Sequence, residues 1–144
     1  MSRIINSAGL ALIKEYEGCK LEAYQDGNGV WTIGFGHTAG VKEGDTCSQE
    51  QADAFLEQDL IATELSVSSL VKVPLTDNQF AALVSFTFNE GTGRLADSTL
   101  LKKLNEGGYP VVPAYLKAWV FVNHQLSQGL VRRRAAEAAL WSMG

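Results

Sequence analysis

Residues that build metal sites and disulfide frameworks are scarce in this sequence. Its 144 residues include only two cysteines and two histidines, with no CxxC or HExxH motif around them. Because zinc sites draw on such motifs, we expect no metal site and no other cofactor. Cys19 and Cys47 each stand where an apolar residue would suit the local pattern. This placement favours two buried, reduced thiols over a disulfide or a metal pair.

Long apolar runs and an excess of basic charge are also missing. No apolar run approaches the roughly 18 residues that span a bilayer. Lys14 and Glu15 interrupt the apolar residues near the N-terminus, which is unlike a signal peptide. Twelve basic residues against sixteen acidic ones give a net charge of −4, which disfavours non-specific attraction to nucleic acids and anionic membranes. We therefore expect a protein that is made in a cytoplasm, inserts stably into no membrane and binds no nucleic acid.

The composition itself is typical of a globular protein. Hydrophobic residues make up 46% of the chain and charged residues 19%. These proportions predict one domain over residues 1–144 that is large enough to fold alone. We expect the protein to be a monomer.

The pattern of residue types changes twice along the chain. Residues 6–18 have helical spacing, residues 19–47 are glycine-rich and strand-like, and the chain after residue 48 is helical throughout. This order predicts an α+β fold: a small lobe with a short antiparallel sheet, a long helix leading out of it, and a larger helical lobe. The small lobe covers about residues 13–58, and the helical lobe covers about 1–12 and 59–144. A cleft between two lobes is a usual place for a binding site.

Two capping boxes mark helix starts in the second half of this pattern. Ser48 with Gln51, and Thr76 with Gln79, have the spacing at which each side chain satisfies the other residue's free backbone N–H. The first helix is expected to reach about residue 70, before Pro74. Further helices are predicted from 97 or 98 to 106, over 113–122 and over 128–141.

Glu17 is the first candidate for a chemical role. If residues 7–17 are helical, Glu17 lies on the same face as Leu10 and Ile13, just before the terminating Gly18. For most glutamates an ion pair or a solvated helix end explains such a position. A carboxyl partly withdrawn from water favours its neutral form, however, and so can carry a proton and donate it.

Asp26 opens "DGNG", which together with its flanking segments predicts a β-hairpin. Most aspartates before glycine only make the turn. Here the hairpin leaves the end of the Glu17 helix almost at once, which brings together a semi-buried carboxyl and a polar one. Hydrolysis of a glycosidic bond requires such a pair, an acid for the leaving oxygen and a base or nucleophile. Thr32, on the returning strand, has a hydroxyl that can help Asp26 hold a water, although a β-branched residue also simply fills a strand.

These residues resemble the catalytic signature of the phage-type lysozymes, the muramidase endolysins of glycoside hydrolase family 24. The signature is Glu17, eight residues, Asp26, five residues and Thr32, set in "YEGCKLEAYQDGNGVWTIGFGHT". The segments "VPLTDNQFAALVSFTFNEGTG", "STLLKKLNEGGY", "AWV" and "GLVRRRAAEAALW" follow the order of the same family. The resemblance therefore covers essentially the whole chain and implies a lysozyme-like fold.

The resemblance implies hydrolysis of the β-1,4 bond between N-acetylmuramic acid and N-acetylglucosamine in peptidoglycan, with inversion at the anomeric carbon. Carried over by position, Glu17 is the general acid, Asp26 is the base or the group that orients the attacking water, and Thr32 contacts that water. Carboxyl groups that act in this way stand about 6.5–9.5 Å apart. The resemblance further implies an endolysin that waits in the host cytoplasm and reaches the periplasm and cell wall at lysis, through a separate holin-type pore.

Other residues offer weaker signals. His37 lies beside no nucleophilic serine or cysteine motif, which favours a hydrogen-bonded structural role. Asn89 and Gly91, at a predicted helix end, are candidates for sugar contact, with helix capping as the alternative. Trp31 suits either the core or a sugar-stacking surface, whereas Trp119 and Trp141 are expected in the core.

For the arginine triplet at 132–134, the simplest interpretation is a solvated helix face. Successive helical residues project about 100° apart, so at most two of these side chains can point one way. One of them, for which we select Arg133, is predicted to pair with Glu17 or to meet the anionic cell wall.

Two other functions are compatible with parts of the sequence. A non-catalytic peptidoglycan-binding module would keep the cleft without the acid, but the presence of both Glu17 and Asp26 argues against it. A nucleic-acid-binding helical protein would depend on the arginine triplet alone, and the net acidity disfavours it.

Overall fold

The computed structural model describes residues 3–144 and confirms the predicted α+β class. The chain divides into two compact units, one formed by residues 14–61 and the other by the residues up to 13 together with 62–144. That the whole chain folds as one monomeric domain stays a prediction. Within residues 3–144, no helix combines the length and apolar character needed to cross a bilayer.

Helix α1 (Ser7–Glu17) and a β-hairpin begin the chain, as the sequence predicts. Asn6 caps α1, since its side-chain oxygen accepts the N–H of Gly9 at 3.0 Å. Gly18 ends the helix with a φ of 69°, in the left-handed region that favours glycine. Strands β1 (Lys20–Gln25) and β2 (Trp31–Gly34) then pair antiparallel, with an irregularity in register before Tyr24.

Helix α2 (Gln49–Leu70) starts at the first predicted capping box. The Ser48 N–H donates to the side chain of Gln51 at 2.9 Å, and the Gln51 N–H donates to the Ser48 hydroxyl at 3.1 Å. Its buried side chains Ala52, Leu56 and Leu60 share one helical face. The predicted end near residue 70 is confirmed.

Helix α3 (Asp77–Glu90) is the buried centre of the unit that contains it. Its predicted capping box between Thr76 and Gln79 is present, and every residue from Phe80 to Thr87 is buried. Such an all-round burial fits a helix packed on several sides, chiefly by α7 (Gln128–Ser142). The remaining helical elements are α4 (Thr92–Ala96), α5 (Thr99–Asn105), a 3₁₀ turn (Tyr109–Val111) and α6 (Val112–Lys117).

The prediction that the chain after residue 48 is helical throughout is wrong. The helix predicted over 113–122 ends at Lys117, and a second hairpin follows, formed by β3 (Phe121–Val122) and β4 (Gln125–Leu126). Asn123 and His124 link its strands with φ values of 49° and 66°. Two consecutive residues with positive φ make the turn that matches strand twist, and aromatic and β-branched residues before it favour extended backbone.

The prediction of two buried thiols is wrong for Cys19, which is exposed, while Cys47 is half-buried. The left-handed turn at Gly18 ends α1 and leaves Cys19 ahead of β1, outside the paired part of the sheet. Both cysteines are free thiols.

Candidate active site

Glu17 is the last residue of α1 and is half-buried. Ile13, one turn earlier on the same face, is fully buried, so the apolar face predicted for this helix is present. Gly36 approaches the carboxyl closely: a methyl group added to its Cα would lie 3.3 Å from Glu17 Oε1. Gly36 has a φ of 86°, which a side chain rarely adopts. The backbone at Gly36 therefore limits where the Glu17 carboxyl can lie.

Asp26 occupies the turn between β1 and β2. Its Oδ1 accepts the N–H of Asn28 at 2.8 Å and the N–H of Val30 at 2.9 Å. The Asp26 N–H donates to the Val30 carbonyl at 2.9 Å, and Gly29 closes the loop with a φ of 79°. This arrangement is typical of a three-residue hairpin loop with a bulge at glycine. Among residues 3–144, no donor satisfies Oδ2 of Asp26, so one carboxylate oxygen is fixed and the other is open to a water.

Thr32 lies on β2 opposite Tyr24 and is 4% exposed. Its hydroxyl donates to the Val30 carbonyl at 2.9 Å. Asp26 and Thr32 therefore bind opposite polar groups of the same residue, one its N–H and the other its carbonyl. Because the hydroxyl proton is already used, the Thr32 oxygen can act toward a further partner only as an acceptor.

Trp31 precedes Thr32 on β2 and is half-buried. Successive strand residues point to opposite faces of a sheet, so the Trp31 ring and the Thr32 hydroxyl lie on different faces. The structure thus leaves the indole partly accessible, away from the Thr32 side of the hairpin.

His37 has a structural role, as predicted. Its Nδ1 is 2.8 Å from Asp59 Oδ2, and its ring stacks on Phe55 with centroids 4.2 Å apart. Its backbone also pairs with Ile33. The imidazole is therefore held by α2, and the backbone of His37 is held by Ile33 of β2.

Arg134 is fully buried, so the alternative interpretation of the triplet as a solvated helix face is wrong at this position. Its guanidinium donates to the Trp119 carbonyl at 2.9 Å, to Glu137 at 2.7 Å and to Glu90 at 2.7 Å. It also donates to Oδ1 of Asn89. The carboxylates explain the burial, because a guanidinium is tolerated away from water only when its donors are paired.

Arg133 is 3% exposed and joins the same network. Its Nε lies 3.3 Å from Glu137 Oε2, and its Nη2 donates to the Ser85 carbonyl at 3.1 Å. Burial raises the pKa of the Glu137 carboxyl, although Arg134, the Ser85 hydroxyl and Arg133 act in the opposite direction. Arg132 alone among the three arginines is exposed.

The structure also places the two candidates at the end of α3 and the two tryptophans that were expected in the core. Asn89 is exposed near the end of α3, and Gly91 is the C-cap residue of that helix, with its N–H donating to the Thr87 carbonyl at 2.7 Å. Trp141 is buried as predicted, whereas Trp119 is half-buried and meets Phe86 edge to face.

Within residues 3–144, no group of three or more histidine, cysteine or acidic side chains is placed to hold a metal ion.

The sequence model of the family described as phage lysozyme matches residues 14–137 of the chain. The chain belongs to the phage lysozyme family. It is similar to the endolysin of Acyrthosiphon pisum secondary endosymbiont phage 1, with 45% identity over 95% of this chain and 97% of that one. The endolysin of Salmonella phage P22 is 38% identical over 96% of this chain and 98% of its own length.

Solved structures of phage lysozyme relatives have the same fold. The muramidase domain of SpmX from Asticaccaulis excentricus superposes with a TM-score of 0.91 and 41% identity, covering 96% of this chain and 98% of that one. This phage lysozyme is thus a glycoside hydrolase of the muramidase type.

Sequence reasoning missed three features around the site residues. Gly36 carries no chemistry and is visible in the sequence only as a glycine of "GFGH". Ser85 and Glu137 bind the buried arginines, and the spacing of Glu137 three and four residues after them on α7 was the available signal.

Proposed function

We propose that this phage lysozyme hydrolyses the β-1,4 bond between N-acetylmuramic acid and N-acetylglucosamine in peptidoglycan, with inversion at the anomeric carbon. In this mechanism Glu17 protonates the leaving glycosidic oxygen. Asp26 orients a water and accepts its proton as that water attacks the anomeric carbon from the opposite face of the sugar. Thr32 holds the same water by accepting its second hydrogen.

The geometry of Asp26 is the observation that carries this proposal. One oxygen of its carboxylate is fixed by the N–H groups of Asn28 and Val30, at 2.8 and 2.9 Å. A base held in this way loses little rotational freedom when it binds a water, and pre-positioning of that kind lowers the barrier to attack. Val30 also accepts the Thr32 hydroxyl, so the two proposed water contacts share one anchoring residue.

Glu17 is suited to a different task by its different surroundings. It ends a helix whose preceding face is apolar, and Gly36 confines one of its oxygens. The contrast between a half-buried carboxyl on a helix and a carboxylate in a polar turn supports the division into acid and base.

Trp31 and Asn89 are the proposed sugar contacts. The Trp31 indole is half-buried on β2, and a partly accessible aromatic face stacks well on a pyranose ring. Asn89 uses its oxygen for Arg134, which leaves its amide NH₂ as the group to donate to a sugar hydroxyl. Arg133, the third candidate, is 3% exposed. We therefore propose that it holds Glu137 and Ser85 in place and does not contact the glycan directly.

Product analysis tests the bond and the stereochemistry together. Mass spectrometry of digested peptidoglycan should show new reducing ends at muramic acid, and proton NMR of the first products should show the α-anomer. New reducing ends at glucosamine would contradict the proposed bond, and an initial β-anomer would contradict inversion.

We further propose that the enzyme acts as an endolysin, a monomer made in the host cytoplasm that reaches the periplasm and cell wall through a separate holin-type pore. Expression of the chain alone should then leave host cells intact, and co-expression with a pore-forming protein should lyse them. Lysis by the chain alone would contradict dependence on a pore. A dimer in sedimentation measurements would contradict the monomer.

A further inference from the structure

The two cysteines lie next to two segments, residues 21–23 and 45–47, whose backbones pair with each other. Cys19 precedes β1, and Cys47 precedes the Ser48 cap of α2. Both are free, Cys19 exposed and Cys47 half-buried. Neither takes part in the proposed hydrolysis.

Backbone hydrogen bonds fix the register between these segments. The Ala23 N–H donates to the Asp45 carbonyl at 2.8 Å, and the Cys47 N–H donates to the Leu21 carbonyl at 2.9 Å. Between them Glu22 pairs antiparallel with Thr46.

Cys19 lies just outside this pairing, two residues before the Leu21 whose carbonyl accepts the Cys47 N–H, and so stands near the diagonal position to Cys47. Leu21 stands opposite Cys47, and Cys19 precedes Leu21 by two residues. Gln49, the first residue of α2 and two residues after Cys47, contacts Cys19 directly: its Nε2 and Oε1 lie 3.7 and 3.9 Å from Cys19 Sγ. Diagonal neighbours in antiparallel pairs are about 7–8 Å apart.

The two thiols differ in exposure, Cys19 being exposed and Cys47 half-buried. Burial raises the pKa of the Cys47 thiol, and the charge of Cys19 raises it further. The thiolate is the reactive form of cysteine, so the exposed Cys19 is the better first nucleophile.

We propose that Cys19 and Cys47 form a thiol pair that a small-molecule disulfide, such as glutathione disulfide, converts into an intramolecular disulfide. The Cys19 thiolate attacks the reagent, forms a mixed disulfide and releases one reduced thiol. The Cys47 thiolate then attacks Cys19 Sγ and releases the second. One reagent disulfide is reduced to two thiols, and two cysteine thiols become one disulfide, with both protein protons transferred to the released thiolates.

Bridge formation moves the backbone next to Glu17. A disulfide requires Cβ atoms about 3.5–4.5 Å apart, which is closer than diagonal neighbours usually stand. Gly18, with a φ of 69°, and Cys19 form the short link between the end of α1 and the start of β1, so the movement is expected there. Since Gly18 follows Glu17, oxidation should lower hydrolytic activity; this consequence depends on the proposed function, whereas formation of the bridge does not.

The test begins with the reduced, folded chain incubated with glutathione disulfide and then treated with a thiol-alkylating reagent. We expect an intact mass lower by two hydrogen atoms, no alkylated cysteine and a peptide linking Cys19 to Cys47. Two alkylated thiols, or a stable glutathione adduct on Cys19, would overturn the proposal. As matched controls, Cys47→Ser should stop at the glutathione adduct on Cys19, and Cys19→Ser should react more slowly.

Activity is measured on the same samples. Clearing of permeabilised bacteria should fall at least several-fold in the bridged protein and return on reduction with dithiothreitol, while Cys47→Ser keeps its activity after the same cycle of incubation and removal of adducts. A bridged protein of unchanged activity would overturn the effect on Glu17. An inactive reduced protein that still forms the bridge would instead contradict the proposed function alone.

Discussion

Replacement of Gly36 by alanine tests the proposed constraint on Glu17. The added methyl group would lie 3.3 Å from Glu17 Oε1, tighter than most contacts of this kind, so the carboxyl has to move by a few tenths of an ångström. A misplacement of about 1 Å can cost about a hundredfold in rate. We therefore expect Gly36→Ala to lower the turnover of peptidoglycan by roughly three- to tenfold.

Gly40→Ala is the matched control for this substitution. Gly40 has a φ of 71°, close to the 86° of Gly36, but no atom lies within 4 Å of the position that its added methyl group would take. Both variants should therefore lose about 1–2 kcal/mol of folding free energy from backbone strain.

The assay is the initial rate of clearing of permeabilised bacteria, with each variant's unfolding measured in urea. We expect equal losses of stability and a rate loss confined to Gly36→Ala. Equal rates for the two variants would refute the claim that Gly36 positions the Glu17 carboxyl.

Three further predictions concern other described contacts. Glu64, buried on α2, accepts the Ile5 N–H at 2.7 Å, and burial raises the pKa of its carboxyl. Stability therefore falls as pH rises from the ordinary glutamate value through the raised one, so Glu64→Gln should be more stable than the wild type at pH 7 and lose less stability over that pH range, unlike the exposed Glu57→Gln. Thermal scans across pH check this. Arg134→Met should destabilise the fold by about 3–5 kcal/mol in urea, because it leaves buried carboxylates unpaired, whereas Arg132→Met should change little. Thr32→Val, which removes the hydrogen bond to the Val30 carbonyl, should cost about 1 kcal/mol of stability and lower kcat more than it changes KM.

Local signals were sufficient for much of the fold. The capping boxes at Ser48 and Thr76 predicted the starts of α2 and α3, because a side chain that satisfies a free N–H acts within one turn. The turn at "DGNG" likewise predicted the first hairpin, since the backbone conformation of a tight loop restricts which residues suit it.

Two elements of the fold have local sequence signals too weak to predict them. Helix α4 spans only Thr92–Ala96 and contains a glycine, so neither periodicity nor propensity indicated it. The hairpin after α6 depends on positive φ at Asn123 and His124, a conformation that Asn favours only modestly.

The residues of the candidate site also differ in how far their positions could be predicted from the sequence. Glu17, Asp26 and Thr32 lie within sixteen residues of one another, and their elements were predictable from local pattern. The burial of Arg133 and Arg134 was not, because their partners Ser85 and Glu90 are more than forty residues away and only packing of α3 against α7 brings them together.

The central claim is that Glu17 supplies the proton that cleaves the glycan, and one substitution tests it most directly. Glu17→Gln keeps the size of the side chain and removes the acid. Purified wild-type protein should clear a suspension of outer-membrane-permeabilised bacteria, and the variant, with its circular dichroism spectrum unchanged, should not. Clearing by the folded variant at the wild-type rate would contradict the assignment.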